Sequence, residues 1–413
     1  AGDLLTEGDF YRQEHRLIYA AIGALIGAGK PADVITVFEW LQRAGRADEC
    51  GSLVYLNALA QSVPSATNMR RYAELVRERA VLRRCIAAAD EVATKAFAGG
   101  SATDVLDLAS SAFGALERSG MRSTPKAIGD LMLGALDRYQ ALAEGTQAPG
   151  IATGFRELDR LLAGGLKAGK VYGIAARPSV GKSSSARSIG IHAARSGHTV
   201  LVLSQEMPQE EVADCIVAEL GRIDSARLQT GTFSDEDGDW TRIADAVEQA
   251  RSLPLLIDEQ GALTVQDIRA KARGVKGLRL LVVDYLQLCA STLKGKSTND
   301  EVAEISKGLK ALALELSIPI IVLSQLNREA DGIEPTLKHL RDSGAIEQDL
   351  DVAIFLWPLE EGADDIRLVG WKVAKHRGGP KGRFCMRFNA PIYRWDPCEW
   401  PPAPAQTARR TNL

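Results

Sequence analysis

Residues 176–183 read ARPSVGKS. They close with the Gly181-Lys182-Ser183 of a phosphate-binding loop, G-x-x-x-x-G-K-[ST], although the first glycine of that pattern falls on Ala176. Such a loop works because successive backbone N–H groups turn inward at phosphate oxygens and the helix that follows offers its positive end. Arg177, Pro178, Ser179, Val180, Gly181, Lys182, Ser183 and Ser184 form the expected nucleotide cradle. Gly181 lets the backbone come close, Lys182 brings charge to the outer phosphates, and Ser183 offers a hydroxyl suited to magnesium. The apolar VYGIAA precedes the loop and the helical SSARSIGIHAAR follows it. That order of strand, loop and helix turns a pattern into a site.

Hydrolysis needs further groups, and three strand-like runs supply them. LRLLVVD ends in Asp284, which suits the carboxylate on the magnesium side of such a site. TVLVLSQEMP carries Glu206 at its polar end, where a general base orients water. IPIIVLSQ ends in Gln325, an uncharged donor suited to sensing a terminal phosphate. Taken singly, each is also an ordinary polar cap on a strand. Taken with the loop, they predict a catalytic crevice outside the carboxyl edge of one sheet.

Past EGTQAPG at 144–150, apolar runs alternate with helical stretches: VYGIAA, TVLVLS, PLLID, LRLLVVD, IPIIVLS and VAIFLW. Continuous runs of this kind suit a mainly parallel sheet covered on both faces, an α/β fold. Before them, NMRRYAELVRERAVLRRCIAAADEVATKAF repeats apolar Tyr72, Leu75, Val76, Leu82, Ile86, Ala89, Val92 and Ala96 at helical steps, which predicts one buried face. The arginines between them, from Arg70 to Arg84, read as a solvated face paired with Glu74 and Glu78, or as a nucleic-acid contact. No function is assigned to them. AGGSATD at 98–104 sets off a last short helix, and ERSGMRSTPK from Glu117 reads as a linker. A lone amphipathic helix, about Ala127 to Glu144, carries Ile128, Leu131, Leu133, Leu136 and Tyr139. A neighbouring subunit is a reasonable surface for that stripe.

Composition sets outer limits. At 413 residues, a prior of ~150 residues per domain gives two or three domains. A net charge of -3 offers no sign of broad basic binding to nucleic acid, yet leaves room for a local patch. No apolar run approaches the ~18 residues of a membrane span, and the opening residues lack a basic-then-apolar signal. A cytoplasmic location without membrane contact is expected. Six cysteines lie scattered without a C-x-x-C pair and read as buried thiols, neither a zinc site nor a disulfide framework.

The motifs ARPSVGKS, LSQEMP, VVDYLQL, LSQLNR, LRDSGAIEQDLD and KHRGGP, between Thr153 and about Trp395, together resemble the DnaB family of bacterial and phage replicative DNA helicases. DFYRQEHRLIYAAI, GKPADVITV and YAELVRERAVLRR resemble the helical domain of the same family. The family's loop also tolerates alanine at the position of Ala176. Its opening helix has no counterpart, so the chain is expected to be short or truncated there. The resemblance implies a RecA-like ATPase domain, preceded by an all-α domain and a linker helix. Its limits would be a collar over residues 1–118, a linker over 119–150, the ATPase over 151–400 and a tail over 401–413.

The resemblance also assigns roles. Lys182 and Ser183 would hold phosphate and magnesium, Asp284 would support the metal, Glu206 would activate water and Gln325 would sense the terminal phosphate of ATP. In KHRGGP, Lys375 and Arg377 resemble a basic pair that reaches into a neighbour's site; without the resemblance they read as a solvated basic turn. Arg341, Asp342 and Gly344 match a loop that grips the backbone of single-stranded DNA. The implied assembly is a homohexamer, with primase and a helicase loader as partners, moving five-prime to three-prime. Two other readings stand beside it: a different RecA-like ATPase, forming a filament or acting as a kinase, and a nucleotide-binding scaffold that recruits primase or a loader.

Overall fold

The computed structural model describes residues 4–62, 68–120, 127–234, 236, 238–291, 298–340, 343–361 and 365–401. They divide into two compact units, Ala1–Leu136 and Asp137–Leu413.

The first unit is helical: α1 (Gln13–Gly27), α2 (Val34–Arg43), α3 (Ser52–Gln61), α4 (Met69–Phe97) and α5 (Ala102–Gly120). Asp33 caps α2 by accepting from the N–H groups of Ile35 and Thr36, both at 2.9 Å; such caps contribute about 1 kcal/mol. Leu17, Ala21, Leu25, Val37, Leu41 and Leu56 form its core. α4 departs from the predicted burial. Its buried residues are Ala73, Ala80 and Ala88, whereas Tyr72, Leu75, Leu82 and Ile86 are exposed. Small side chains let helices approach closely, so the alanine stripe meets the rest of the unit and the larger apolar stripe remains outside. Arg70 and Arg71 pair with Glu74 on the surface, which fits the solvated reading. Arg83 and Arg84 do not follow it: Arg83 donates to the Asp9 carbonyl at 2.7 Å and Arg84 pairs with the buried Asp9 carboxylate. The last helix, α5, is longer than the sequence suggests, running to Gly120.

Across the boundary between the units runs α6 (Ile128–Ala143). Its Ile128, Leu131, Leu133, Leu136 and Tyr139 are all exposed. The second unit follows with α7 (Arg156–Leu161), β1 (Val171–Ala176), α8 (Lys182–Arg195), β2 (Thr199–Ser204), α9 (Gln209–Gly221), α10 (Ser225–Thr230) and α11 (Asp239–Arg251). Then come β3 (Leu255–Asp258), α12 (Val265–Gly274), β4 (Leu278–Asp284), α13 (Thr298–Leu316), β5 (Ile320–Gln325), α14 (Ser343–Asp349) and β6 (Val352–Glu361). β7 (Ile366–His376), β8 (Gly382–Asn389) and β9 (Arg394–Cys398) complete it.

All nine strands join one sheet in the order β3-β2-β4-β5-β1-β6-β7-β8-β9. From β3 to β6 the pairing is parallel, as the six apolar runs predict. β6 to β9 is an antiparallel extension that the apolar runs do not reveal, because its strands mix apolar with charged residues. Alternate strand residues enter different cores. Ile174 and Ala176 join Ile189 of α8 and Trp371 of β7 on one face, while Val171 and Ala175 join Leu309 and Leu312 of α13 on the other. That two-sided cover explains the continuous apolar strands.

Among the described residues, no helix is long and apolar enough to cross a membrane.

Candidate functional site

The sheet order decides the site. β2, β4, β5 and β1 are four consecutive strands, and their carboxyl ends carry Glu206, Asp284, Gln325 and the phosphate-binding loop. Ser204 lies opposite Asp284, and Ala176 opposite Gln325, in the ladders. Residues separated by more than a hundred positions in sequence thus meet at one edge. Glu206, Gln325, Lys182 and Ser183 line a single cavity of about 680 Å3.

The loop is built by local geometry. Ser179 has φ 64° and Gly181 φ 103°, left-handed conformations that turn backbone N–H groups toward one side. Gly181 is also the N-cap of α8. A Cβ there would sit 2.6 Å from Trp395 Cζ2, so only glycine fits beneath that ring. Arg177, Pro178, Ser179, Gly181, Lys182, Ser183 and Ser184 line the cavity, whereas the Val180 side chain is buried in the apolar core. The Ser184 hydroxyl donates to the Tyr393 carbonyl and accepts from Trp395 Nε1, both at 3.2 Å. It therefore ties the loop helix to β9.

Lys182 Nζ lies 3.5 Å from Asp284 Oδ1 and 4.3 Å from the centre of the Tyr285 ring. Asp284 is 7% exposed, and its Oδ1 has no hydrogen-bond partner. A nearly buried carboxylate oxygen that accepts no hydrogen bond, at the end of β4, and the Ser183 hydroxyl on the cavity wall together offer a hard, oxygen-only donor set. It fits magnesium, which keeps waters and substrate phosphates among its ligands and seldom uses a cage made of protein alone. Among the described residues, no group of three or more His, Cys, Asp or Glu could hold a metal ion.

Several lining residues carry no motif and escape sequence reasoning. Arg367 donates to the Ser179 carbonyl at 2.8 Å and holds the loop from the start of β7. The Arg187 guanidinium lies 4.7 Å from the centre of the Tyr393 ring. Arg187 is 7% exposed, with Nε and Nη2 lacking hydrogen-bond partners. Its carboxylate neighbour is Glu219, 3.6 Å away, whose pKa burial raises against the opposing pull of Arg187. Burial likewise raises the Tyr393 hydroxyl, with Cys215 adding to it. Arg187, Tyr393 and Ser225 also line the cavity, and the guanidinium beside the Tyr393 ring makes an aromatic and cationic surface suited to a nucleobase. One cue was available in the sequence: an arginine on the helix of the phosphate loop, five residues past its lysine.

Lys375 and Arg377 are not among the cavity's lining residues. Both cap the carboxyl end of α14: Lys375 donates to the Glu347 carbonyl and Arg377 to the Gln348 carbonyl, while the Arg377 backbone N–H reaches the Asp351 carbonyl at 2.8 Å. Burial, helped by Arg377, lowers the Lys375 pKa. Gly344 falls at the start of α14, and Arg341 and Asp342 lie outside the described residues. Gln325 lines the first cavity. It also lines a second cavity with Asn327 and Arg328, and the Asn327 N–H donates to the His339 carbonyl at 2.9 Å, two residues before that loop.

The expected buried thiols are only partly so. Cys50, Cys215 and Cys385 are buried, whereas Cys85, Cys289 and Cys398 are partly exposed; Cys85 lies within α4, on a helix whose buried stripe is Ala73, Ala80 and Ala88, and Cys398 ends β9.

Comparison with known proteins agrees with this geometry. Residues 150–397 match the model of the DnaB-like helicase C terminal domain, and residues 1–78 that of the DnaB-like helicase N terminal domain. The replicative DNA helicase DnaB of Pasteurella multocida is 36% identical, over 95% of this chain and 88% of its own. The corresponding protein of Geobacillus stearothermophilus is 34% identical, over 94% and 88%. A solved DnaB-like replicative helicase, described with its interactions with primase, superposes with a TM-score of 0.71 at 26% identity, covering 95% of this chain and 93% of that one. A second solved structure, an ATPase domain, gives 0.61 at 29% identity, covering 67% of this chain and 100% of that one.

Proposed function

The chain belongs to the DnaB family of replicative DNA helicases, and from that premise we propose how its own residues couple ATP hydrolysis to unwinding. Nucleotide binding and hydrolysis come with the family. The finer reading takes ATP with Mg2+ as the bound species. Ser183 and Asp284 would hold the ion, whose charge would offset that of the outer phosphates. Lys182, which rests against Asp284, turns its ammonium to the terminal phosphate. Glu206 orients the attacking water and accepts its proton, and Gln325 responds to the presence of the terminal phosphate. The Arg187–Tyr393 wall receives the base.

The basic pair belongs to a different interface. A finger contributes by meeting charge that develops on the transferred phosphoryl group, yet Arg377 and Lys375 are absent from their own chain's cavity lining. We infer that they serve the cavity of an adjacent copy in a homohexamer. Arg341, Asp342 and Gly344 would grip the phosphate backbone of single-stranded DNA in the pore, contacts that fix position without reading bases. Movement runs five-prime to three-prime. The exposed stripe of α6 would dock on the neighbouring subunit. Residues 1–118 would form the collar that meets primase, 119–150 the linker, 151–400 the motor and 401–413 a tail. A loader would place the ring on DNA in the cytoplasm.

The observation that carries this reading is the meeting of four consecutive strand ends around one cavity from which the basic pair is absent. Strand displacement on a forked duplex tests it. Unwinding should proceed with ATP and Mg2+, stop with a non-hydrolysable analogue, and require a single-stranded tail on the five-prime side. Displacement that runs equally well with the analogue would overturn it.

A further inference from the structure

Cys385 on β8 and Cys398 at the end of β9 stand directly opposite each other in the outermost antiparallel ladder. Opposite residues in such a ladder have Cα atoms about 4.5 or 5.5 Å apart, according to whether the pair exchanges backbone hydrogen bonds. Both spacings fall within the range a disulfide tolerates, roughly 4.4–6.8 Å. Cys385 is buried and Cys398 partly exposed, and both line a surface cavity of about 620 Å3. A small solute therefore meets Cys398 first. Among the described residues, no other cysteine lies on a strand.

What the pair would fasten matters to the nucleotide cavity. β9 is the outermost strand, held in the sheet by β8 alone, and an outer strand is among the first parts of a fold to open. Between the two cysteines lie Tyr393, which lines the nucleotide cavity, and Trp395, whose ring covers Gly181 and whose Nε1 donates to Ser184. Phe388 of β8 stacks on Trp395 with ring centres 4.3 Å apart.

We propose that Cys385 and Cys398 are a thiol pair that oxidises to a cross-strand disulfide and staples the wall of the nucleotide cavity. The oxidant is a low-molecular-weight disulfide such as oxidised glutathione. The Cys398 thiolate attacks one of its sulfurs, forming a mixed disulfide and releasing one small thiol. Cys385 gives up its proton and attacks the Cys398 sulfur. The protein S–S bond forms, the mixed bond breaks, and the second small thiol leaves with that proton. Two electrons pass from the protein pair to the small disulfide, and dithiothreitol reverses the exchange. Bond formation rests on the ladder register alone. Its effect on the cavity rests on the reading of that cavity as the nucleotide site.

The test uses the full chain, incubated with oxidised glutathione and then mapped by mass spectrometry without reduction. Two of the six thiols should disappear, with Cys385 and Cys398 recovered in one linked peptide. The oxidised protein should melt several degrees above the reduced form and release a bound fluorescent ATP analogue more slowly, both differences vanishing with dithiothreitol. Cys398→Ser should lose the linked peptide and the melting shift while matching reduced wild type in turnover. Cys398→Ala serves as the second variant if the serine form folds poorly. Glutathione adducts in place of the link, pairing with another cysteine, or two persisting thiols would each overturn the proposed bond. A linked protein with unchanged melting and unchanged nucleotide release would overturn the staple while leaving the nucleotide site in place.

Discussion

Lys182 and Glu206 share a cavity, and the proposed mechanism gives them different work in it. Lys182 is a fixed charge whose resting partner, Asp284, is nearly buried. Removing it leaves charge on the outer phosphates uncompensated in the transition state, and losses of ~10²–10³-fold or more accompany the removal of such groups. Lys182→Ala should therefore abolish measurable phosphate release. It should also weaken ATP binding, because the lysine meets ground-state phosphate as well. Glu206→Gln keeps shape and loses the base, so it should hold ATP with an affinity near wild type while turning it over slowly. Filter binding and single-turnover phosphate release separate the two. Failure of Glu206→Gln to bind ATP would make Glu206 a structural residue.

At the scale of elements, the site depends on how tightly β9 is laid across the start of α8. Gly181 combines φ 103° with a virtual Cβ 2.6 Å from Trp395, so alanine there meets both backbone strain and an aromatic ring. Each effect costs about 1–3 kcal/mol. Gly181→Ala should lower the melting temperature and displace Trp395, weakening ATP binding with it. Gly197 is the control, because its φ is +82° and nothing lies within 4 Å of its virtual Cβ. Gly197→Ala should lose stability through strain and keep ATP binding. Calorimetric melting and nucleotide titration of the two variants check this, and equal loss of binding in both would show that Trp395 does not set the loop.

At the scale of the whole molecule, the proposed ring would cover surfaces and complete chemistry that one chain leaves open. The α6 stripe and the larger apolar stripe of α4 are exposed, and the basic pair caps α14, outside its own cavity's lining. A finger supplied by a neighbour contributes ~10³-fold or more in rate. Arg377→Ala should therefore remove turnover while ATP binding survives. Mixing Arg377→Ala with Lys182→Ala subunits decides whether the finger acts across an interface. Some reassembled interfaces join an intact loop from the first variant to an intact finger from the second, and these should recover part of the ATPase activity. Complete silence in mixtures shown to hold both variants would count against action in trans.

The sequence alone determined what local physics encodes. The phosphate loop follows from a few adjacent residues and their permitted backbone angles. The six parallel strands follow from burial on both faces, which leaves unbroken apolar runs, and the polar residues ending those runs named Glu206, Asp284 and Gln325. Only the tertiary structure decided which strand ends are neighbours, since the order β2-β4-β5-β1 is a choice of long-range pairing that no local pattern records. It alone laid β9 over Gly181, and it alone set Cys385 opposite Cys398, because a shift of one residue in register would turn each side chain to the other face. It also decided which stripe of α4 is buried: periodicity marks a face as apolar, and packing chooses the face that small residues allow to come close.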